Sequence, residues 1–204
     1  MPADFERRLG AALRSPAPRV SASGSGRAAA VLVPVVARPQ PSLVFTVRTE
    51  TLPSHKGQIS FPGGALDPTD ASPEAAALRE ADEELALEPR HVRILGRLDA
   101  VETYVSGYVV TPVVGWLERL PKLAPNPAEV AHVFSVPLRE LNDEIRADPG
   151  FAFGGRSYPT EAWIWEGYVI WGVTARILRL LLVRLGTSGL GSAPAPEAAW
   201  PKPS

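Results

Sequence analysis

A chain of 204 residues with 21 basic and 22 acidic side chains, a formal charge of −1, advertises no general polyanion-binding surface, so any basic site has to be local. That length suits one sizeable core and is short for two, and with no cysteine both disulfides and thiolate–metal centres are excluded. The longest apolar runs, such as AAAVLVPVVA, are too short to span a bilayer and no apolar leader is visible, which predicts a cytoplasmic protein with neither membrane nor nucleic acid as partner.

In chain order, residues 1–20 fit a short amphipathic helix carrying Phe5, Leu9 and Leu13, followed by the glycine–serine break SASGSG at 21–26. Residues 1–28 are thus expected to lead into a domain spanning 29–186. Ala29–Ala37 and Ser42–Arg48 read as strands, the first nearly all apolar and so buried on both faces. A loop over Thr49–Ser60 leads into the most informative segment. Beyond it, strands are expected at Val92–Val101, Tyr108–Trp116 and Ala131–Pro137, then a short helix over Leu138–Ala147, a hairpin over Phe151–Ile164 and a last helix over Gly172–Leu185. The Pro/Ala-rich stretch 187–204 lacks the apolar content to fold.

That informative segment is FPGGALDPTDASPEAAALREADEELAL, Phe61–Leu87. Gly63 and Gly64 allow the backbone to approach a ligand closely. Ser72 is a natural N-cap with Pro73 at the first helical position. At about 100° per residue, with Leu78 at 0°, Glu80, Glu83 and Glu84 fall between about 140° and 240°, nearly opposite an apolar seat of Leu78, Ala81 and Leu85. Three anions within one turn repel one another unless a cation sits among them. Carboxylate oxygens without histidine or cysteine favour a hard ion, magnesium or manganese. Arg79, one turn before Glu83, is placed to pair with it and hold its rotamer.

These residues resemble the Nudix box, a glycine followed at fixed spacing by a glutamate and then R-E, an apolar residue, any residue, E-E, any residue, glycine and an apolar residue. Gly64, Arg79, Glu80, Ala81, Glu83, Glu84 and Leu87 match. Asp70 stands where the pattern has its first glutamate, with eight rather than seven residues before Arg79, and Ala86 replaces the late glycine. Upstream, LVFTVRTETLPSHKGQISFPGG resembles the signature of the coenzyme A pyrophosphatase branch, through Arg48, Leu52, His55, Gly57, Gln58 and Phe61–Gly64, with Pro53 in place of an arginine. Thr103–Leu117, Glu129–Leu138 and Ile170–Leu178 also look like that branch, so the resemblance covers roughly residues 29–185.

The resemblance implies an α/β fold, the Nudix α/β/α sandwich with a mixed β-sheet and a loop-helix-loop box. It implies magnesium- or manganese-dependent hydrolysis of the pyrophosphate of coenzyme A and its derivatives, to 3′,5′-ADP and 4′-phosphopantetheine. Glu80, Glu83 and Glu84 would hold metal, with a backbone oxygen near Gly63 or Gly64 as a further ligand. Arg79, Glu83 and Glu129 would serve the reaction, the general base being a glutamate of the box or the later Glu129. Arg48, His55 and Lys56, with Gly63 and Gly64, would bind substrate. The partner expected is this small molecule, and a homodimer is admitted. Two other readings stand beside it: hydrolysis of another nucleoside diphosphate derivative such as ADP-ribose or a dinucleotide, and a nucleotide-sensing module without turnover. His91 and His132 are expected to be incidental, and Glu102 has no assigned role. Tyr104, Trp163 and Trp165 are expected in the core more than stacked on an adenine ring.

Overall fold

The computed structural model describes residues 2–14, 26–50, 57–103, 107–148, 150–153, 156–158 and 161–186. Its centre is β1 (Arg27–Arg38), whose side chains enter two apolar layers in turn. Ala29, Val33, Val35 and Ala37 join one layer, Ala30, Leu32 and Val36 the other, which is why this strand is apolar at consecutive positions. β7 (Tyr108–Arg119) runs parallel beside it, whereas β2 (Ser42–Arg48) and β4 (Gly63–Ala65) are antiparallel to it, so the sheet is mixed as expected. β3 (Ile59–Ser60), β5 (Arg93–Arg97), β6 (Val101–Glu102) and β8 (Val130–Pro137) complete it, with β3 and β8 on β2 and β5 and β6 on β7.

One edge of β1 is divided between two partners, β4 at residues 29–31 and β2 at 35–36. The Leu32 amide on that edge reaches the Pro62 carbonyl at 2.8 Å. The next amide to point the same way would belong to Pro34, which has none; the proline sits where the ladder changes hands and needs no donor. Beyond that point β2 pairs instead with β3, through Thr46 and Val47.

α1 (Pro2–Arg14) and α3 (Gly172–Leu185) pack on one face of the sheet, where Leu9, Leu13, Ile177, Leu178, Leu181 and Leu182 are buried. α2 (Pro73–Leu85) packs on the other through Ala76, Ala77, Ala81 and Leu85. Each fully buried leucine adds about 1.5–3 kcal/mol. The result is the three-layer sandwich.

Three expected elements differ. Val92–Val101 is two strands, β5 and β6, parted at 98–100, and within β5 the ladder to β7 also slips between Ile94 and Gly96. The expected helix over Leu138–Ala147 is two 3₁₀ turns, Leu138–Glu140 and Asp143–Ile145, followed by β9 (Arg146–Ala147). Asn142 accepts the Glu144 amide at 2.8 Å and so starts a new turn where a helix would have continued. In place of one hairpin there are two, β10 (Phe151–Phe153) with β11 (Arg156–Tyr158) and β12 (Ala162–Trp165) with β13 (Tyr168–Trp171). The second turns at Glu166–Gly167, both at positive φ, as a two-residue hairpin loop favours. The expectations for 15–25, for Leu52–Lys56 with Pro53, for Tyr104 and for 187–204 lie outside the described residues.

Candidate active site

Ser72 and Pro73 start α2 as expected: the Ser72 hydroxyl accepts the Ala75 amide at 3.2 Å, with Pro73 in the first turn. The buried arc of α2 is wider than the helical wheel suggested. It runs from Ala76 through Glu84 to Ala81 and Leu85, so the acidic stripe and the apolar seat are not opposed but adjoin. The Glu80 and Glu84 side chains lie against the sheet and Glu83 lies on the rim, with Glu84 3% exposed and the Glu83 side chain 56% exposed. Small alanines at 76, 77 and 81 let the helix approach closely enough for this.

Arg79 organises the entrance. Its Nε and Nη2 donate to the two oxygens of Asp70 at 3.1 and 2.9 Å, and Nη2 also reaches the Ala65 carbonyl at 3.3 Å. Nη1 donates to Glu83 at 2.9 Å, the pairing expected from the i, i+4 spacing, and lies 3.0 Å from Glu80. The fork-like contact with Asp70 holds that carboxyl below its ordinary pKa and pushes the guanidinium pKa up. Asp70 also accepts the Asp67 amide at 2.8 Å. Thus the shorter carboxylate, with its one additional residue of spacing, still grips the arginine.

Gly63 and Gly64 are required by what surrounds them. A Cβ on Gly63, at φ +156°, would lie 2.4 Å from the Ala30 carbonyl, and one on Gly64 would lie 2.6 Å from a Glu80 oxygen. The Gly63 amide hydrogen-bonds the Glu84 carboxylate. Behind this loop Phe61 stacks on Phe45 at 4.8 Å and Phe45 on Phe134 at 5.5 Å, which anchors the glycines from the core side.

Glu129 arrives from the far side through a chain of backbone bonds. The carbonyls of Glu84 and Leu85 at the end of α2 accept the amides of Asn126 and Ala124, at 2.8 and 2.9 Å. Asn126 in turn accepts the Glu129 and Val130 amides on its carbonyl and the Ala128 amide on its side chain. The Glu129 carbonyl accepts the Thr49 amide at 2.9 Å, beside Arg48. Asn126 and Thr49 were not singled out in the sequence; an Asn-Pro turn ahead of a strand was the signal available.

Electrostatically, Glu80, Glu84 and Glu129 form one group. Burial pushes the Glu84 carboxyl up to about 8, against the pull of Arg48, while Glu129 and Glu80 push it further the same way. Burial also raises Glu80, opposed by Arg79 and assisted by Glu83 and Glu129. The Nε of Arg48 is buried without an acceptor. As they stand, no three acidic side chains among the described residues meet at coordinating distance, so holding an ion requires these carboxylates to turn toward one another. The donor chemistry fits a hard divalent cation: oxygen ligands, no competing nitrogen or sulfur, and buried negative charge that a cation relieves.

Other residues fall away from the site. Trp163 is fully buried in the core, and Trp165 stacks near Phe134 with its indole N–H on Glu140 at 2.6 Å. His132 is exposed and bonds Tyr168 at 3.1 Å. His55 and Lys56 lie outside the described residues.

The NUDIX domain family matches residues 26–154, more than half of the chain. The chain is a Nudix hydrolase. Its relatives include the uncharacterized Nudix hydrolase NudL of Cronobacter sakazakii, 45% identical over 172 residues, which cover 83% of this chain and 88% of that one. NudL of Salmonella paratyphi B is 47% identical over 163 residues, covering 78% and 83%. Similar solved structures include an Ap4A hydrolase of C. elegans, with TM-score 0.47, 19% identity and coverage of 54% of this chain and 80% of that one. The NUDIX domain of Shewanella oneidensis NrtR, complexed with ADP ribose, has TM-score 0.45 and 20% identity, covering 60% and 80%. As a Nudix hydrolase the chain acts on phosphoric anhydrides, on nucleoside diphosphate derivatives. No helix among its described residues is long and apolar enough to cross a membrane.

Proposed function

We propose that this Nudix hydrolase cleaves the pyrophosphate of coenzyme A and its derivatives, releasing 3′,5′-ADP and 4′-phosphopantetheine, or its acyl form. The observation that carries the chemistry is the placing of Glu80 and Glu84 against the Gly63–Gly64 loop, with Glu129 and Arg48 near enough to act on Glu84 electrostatically. The coenzyme A assignment rests on the upstream segment from Leu43 to Gly64. Glu80 and Glu84, with Glu83 at the rim, are the ligands for a magnesium or manganese ion. When bound, such an ion lowers the pKa of water and draws charge from the attacked phosphoryl group. Arg79, fixed by Asp70, holds the rotamers of Glu83 and Glu80. Glu129 takes the proton of the attacking water. Arg48, His55 and Lys56 bind phosphate oxygens, and the Gly63–Gly64 backbone lets them approach.

Pro53 favours a second reading, a nucleoside diphosphate derivative other than coenzyme A, such as ADP-ribose or a dinucleotide, because an arginine is usual there in the branch. The test compares coenzyme A with its dephospho form. The 3′-phosphate is the dianion that distinguishes its nucleotide half from ADP-ribose, and charge-assisted contacts are each worth about 1.5–3 kcal/mol. Dephospho-coenzyme A is expected to lose roughly ten- to a hundredfold in kcat/KM, and His55→Ala or Lys56→Ala to shrink that gap. Equal efficiency on both, or preference for ADP-ribose, favours the second reading and leaves the metal chemistry intact.

A further inference from the structure

Away from the box, a cavity of about 570 Å³ opens between α1, the turn joining β1 to β2, the 3₁₀ turn after β8 and the end of α3. That volume lies in the range of small-molecule sites. Its floor is apolar, made of Phe5, Pro41, Leu138, Leu141 and Leu185. The wall is held in place by its own backbone: the Leu138 amide donates to Pro41 at 2.9 Å and the Leu141 amide to Leu138 at 3.3 Å. The Asn142 side chain is occupied by the Arg139 carbonyl and the Glu144 amide.

Two lining residues are cations, Arg8 and Arg139. Of the acids near them, three are engaged elsewhere. Asp4 pairs with Arg7, Glu6 with Arg93 at 2.5 Å, and Asp143 with Arg146 at 3.4 Å. Glu140 gives one oxygen to Trp165, and its other lies 3.7 Å from Arg139. An apolar floor rimmed by Arg8 and by Arg139, whose pairing with Glu140 is long at 3.7 Å, complements a molecule with an apolar chain and one anionic head. We propose that this groove binds a free fatty carboxylate of medium chain length, its chain on the leucine floor and its head between Arg8 and Arg139. None of these residues belongs to the candidate active site.

The experiment titrates decanoate, decanol and decylammonium into the full chain, by calorimetry and by NMR shifts at Leu138, Leu141 and Leu185. A variant carrying Arg8→Glu and Arg139→Glu, both exposed positions, serves as comparison. Saturable decanoate binding is expected, about tenfold tighter than decanol, with shifts at those leucines and with the tenfold advantage lost in the double variant. Decylammonium binds more weakly than either. No saturable decanoate binding, equal affinity in the double variant, or shifts confined to other residues overturns the proposal. Vesicles of phosphatidylglycerol separate a free carboxylate from a lipid surface: no co-sedimentation is expected, and arginine-dependent capture by the vesicles overturns the free-ligand assignment.

Discussion

Glu84 carries the sharpest electrostatic consequence at the residue scale. In the unfolded chain its carboxyl titrates near 4.5, and in the fold, through burial, at about 8. Between those values the unfolded chain binds fewer protons than the fold, so the stability this group contributes is fully present below about 4.5 and is lost as pH rises through 8. Metal-free protein is therefore expected to lose denaturant resistance between about pH 5 and pH 9 relative to Glu84→Gln, and magnesium to restore part of it in the parent alone. A parent–variant difference that does not change with pH contradicts the burial of this charge. Asp70 is the other residue with a direct consequence, because it accepts two of the Arg79 donors. Asp70→Asn is expected to lower kcat by about tenfold, since a neutral acceptor with one oxygen releases Arg79 and, through it, Glu83. Unchanged kcat would place the control of Glu83 elsewhere. The pairing of Arg79 with Glu83 was legible in its spacing, whereas the hold of Asp70 on Arg79 and the inward turn of Glu84 were not: a helical wheel fixes relative angles, not the width of the arc that the sheet covers.

On the scale of elements, α2 is decided by its two ends. Its start was readable in Ser72 and Pro73, and its stop is unusual. Ala86 closes the helix in the left-handed region, φ 53°, where its amide and that of Leu87 turn back to the carbonyls of Asp82 and Ala81. This is the place where the family pattern has glycine. An L side chain there costs about 1 kcal/mol, part of which a glycine returns through the greater freedom of the unfolded chain. Ala86→Gly is thus expected to raise unfolding free energy by about 0.5–1 kcal/mol in urea titration without changing KM; a loss of stability would mean that the Ala86 methyl is held by contacts that outweigh its strain. Two of the elements that sequence patterning misjudged, the 138–147 segment and the hairpins after it, share one cause. Short polar side chains and tight turns, Asn142 and Glu166–Gly167, interrupt patterns that periodicity alone would continue.

The whole molecule is a mixed sheet between two helical layers, and the consecutive apolar positions of β1 already required burial on both faces. Its strand order was not readable: the parallel register of β1 on β7, Ala30 facing Thr111, joins residues far apart in sequence, and no local pattern encodes such a pairing. The Asn126 turn is of the same kind, since only the folded chain shows that it ties Glu129 to the last turn of α2. At this scale the central claim is that one site, assembled from α2, the glycine loop and the start of β8, hydrolyses the coenzyme A pyrophosphate. The most direct measurement follows the products formed from coenzyme A with magnesium, or with manganese, by the parent chain and by Glu84→Gln. Stoichiometric 3′,5′-ADP and 4′-phosphopantetheine from the parent, with turnover reduced by at least about a hundredfold in the variant, is the predicted result; no cleavage of coenzyme A by the parent, or undiminished cleavage by Glu84→Gln, contradicts it.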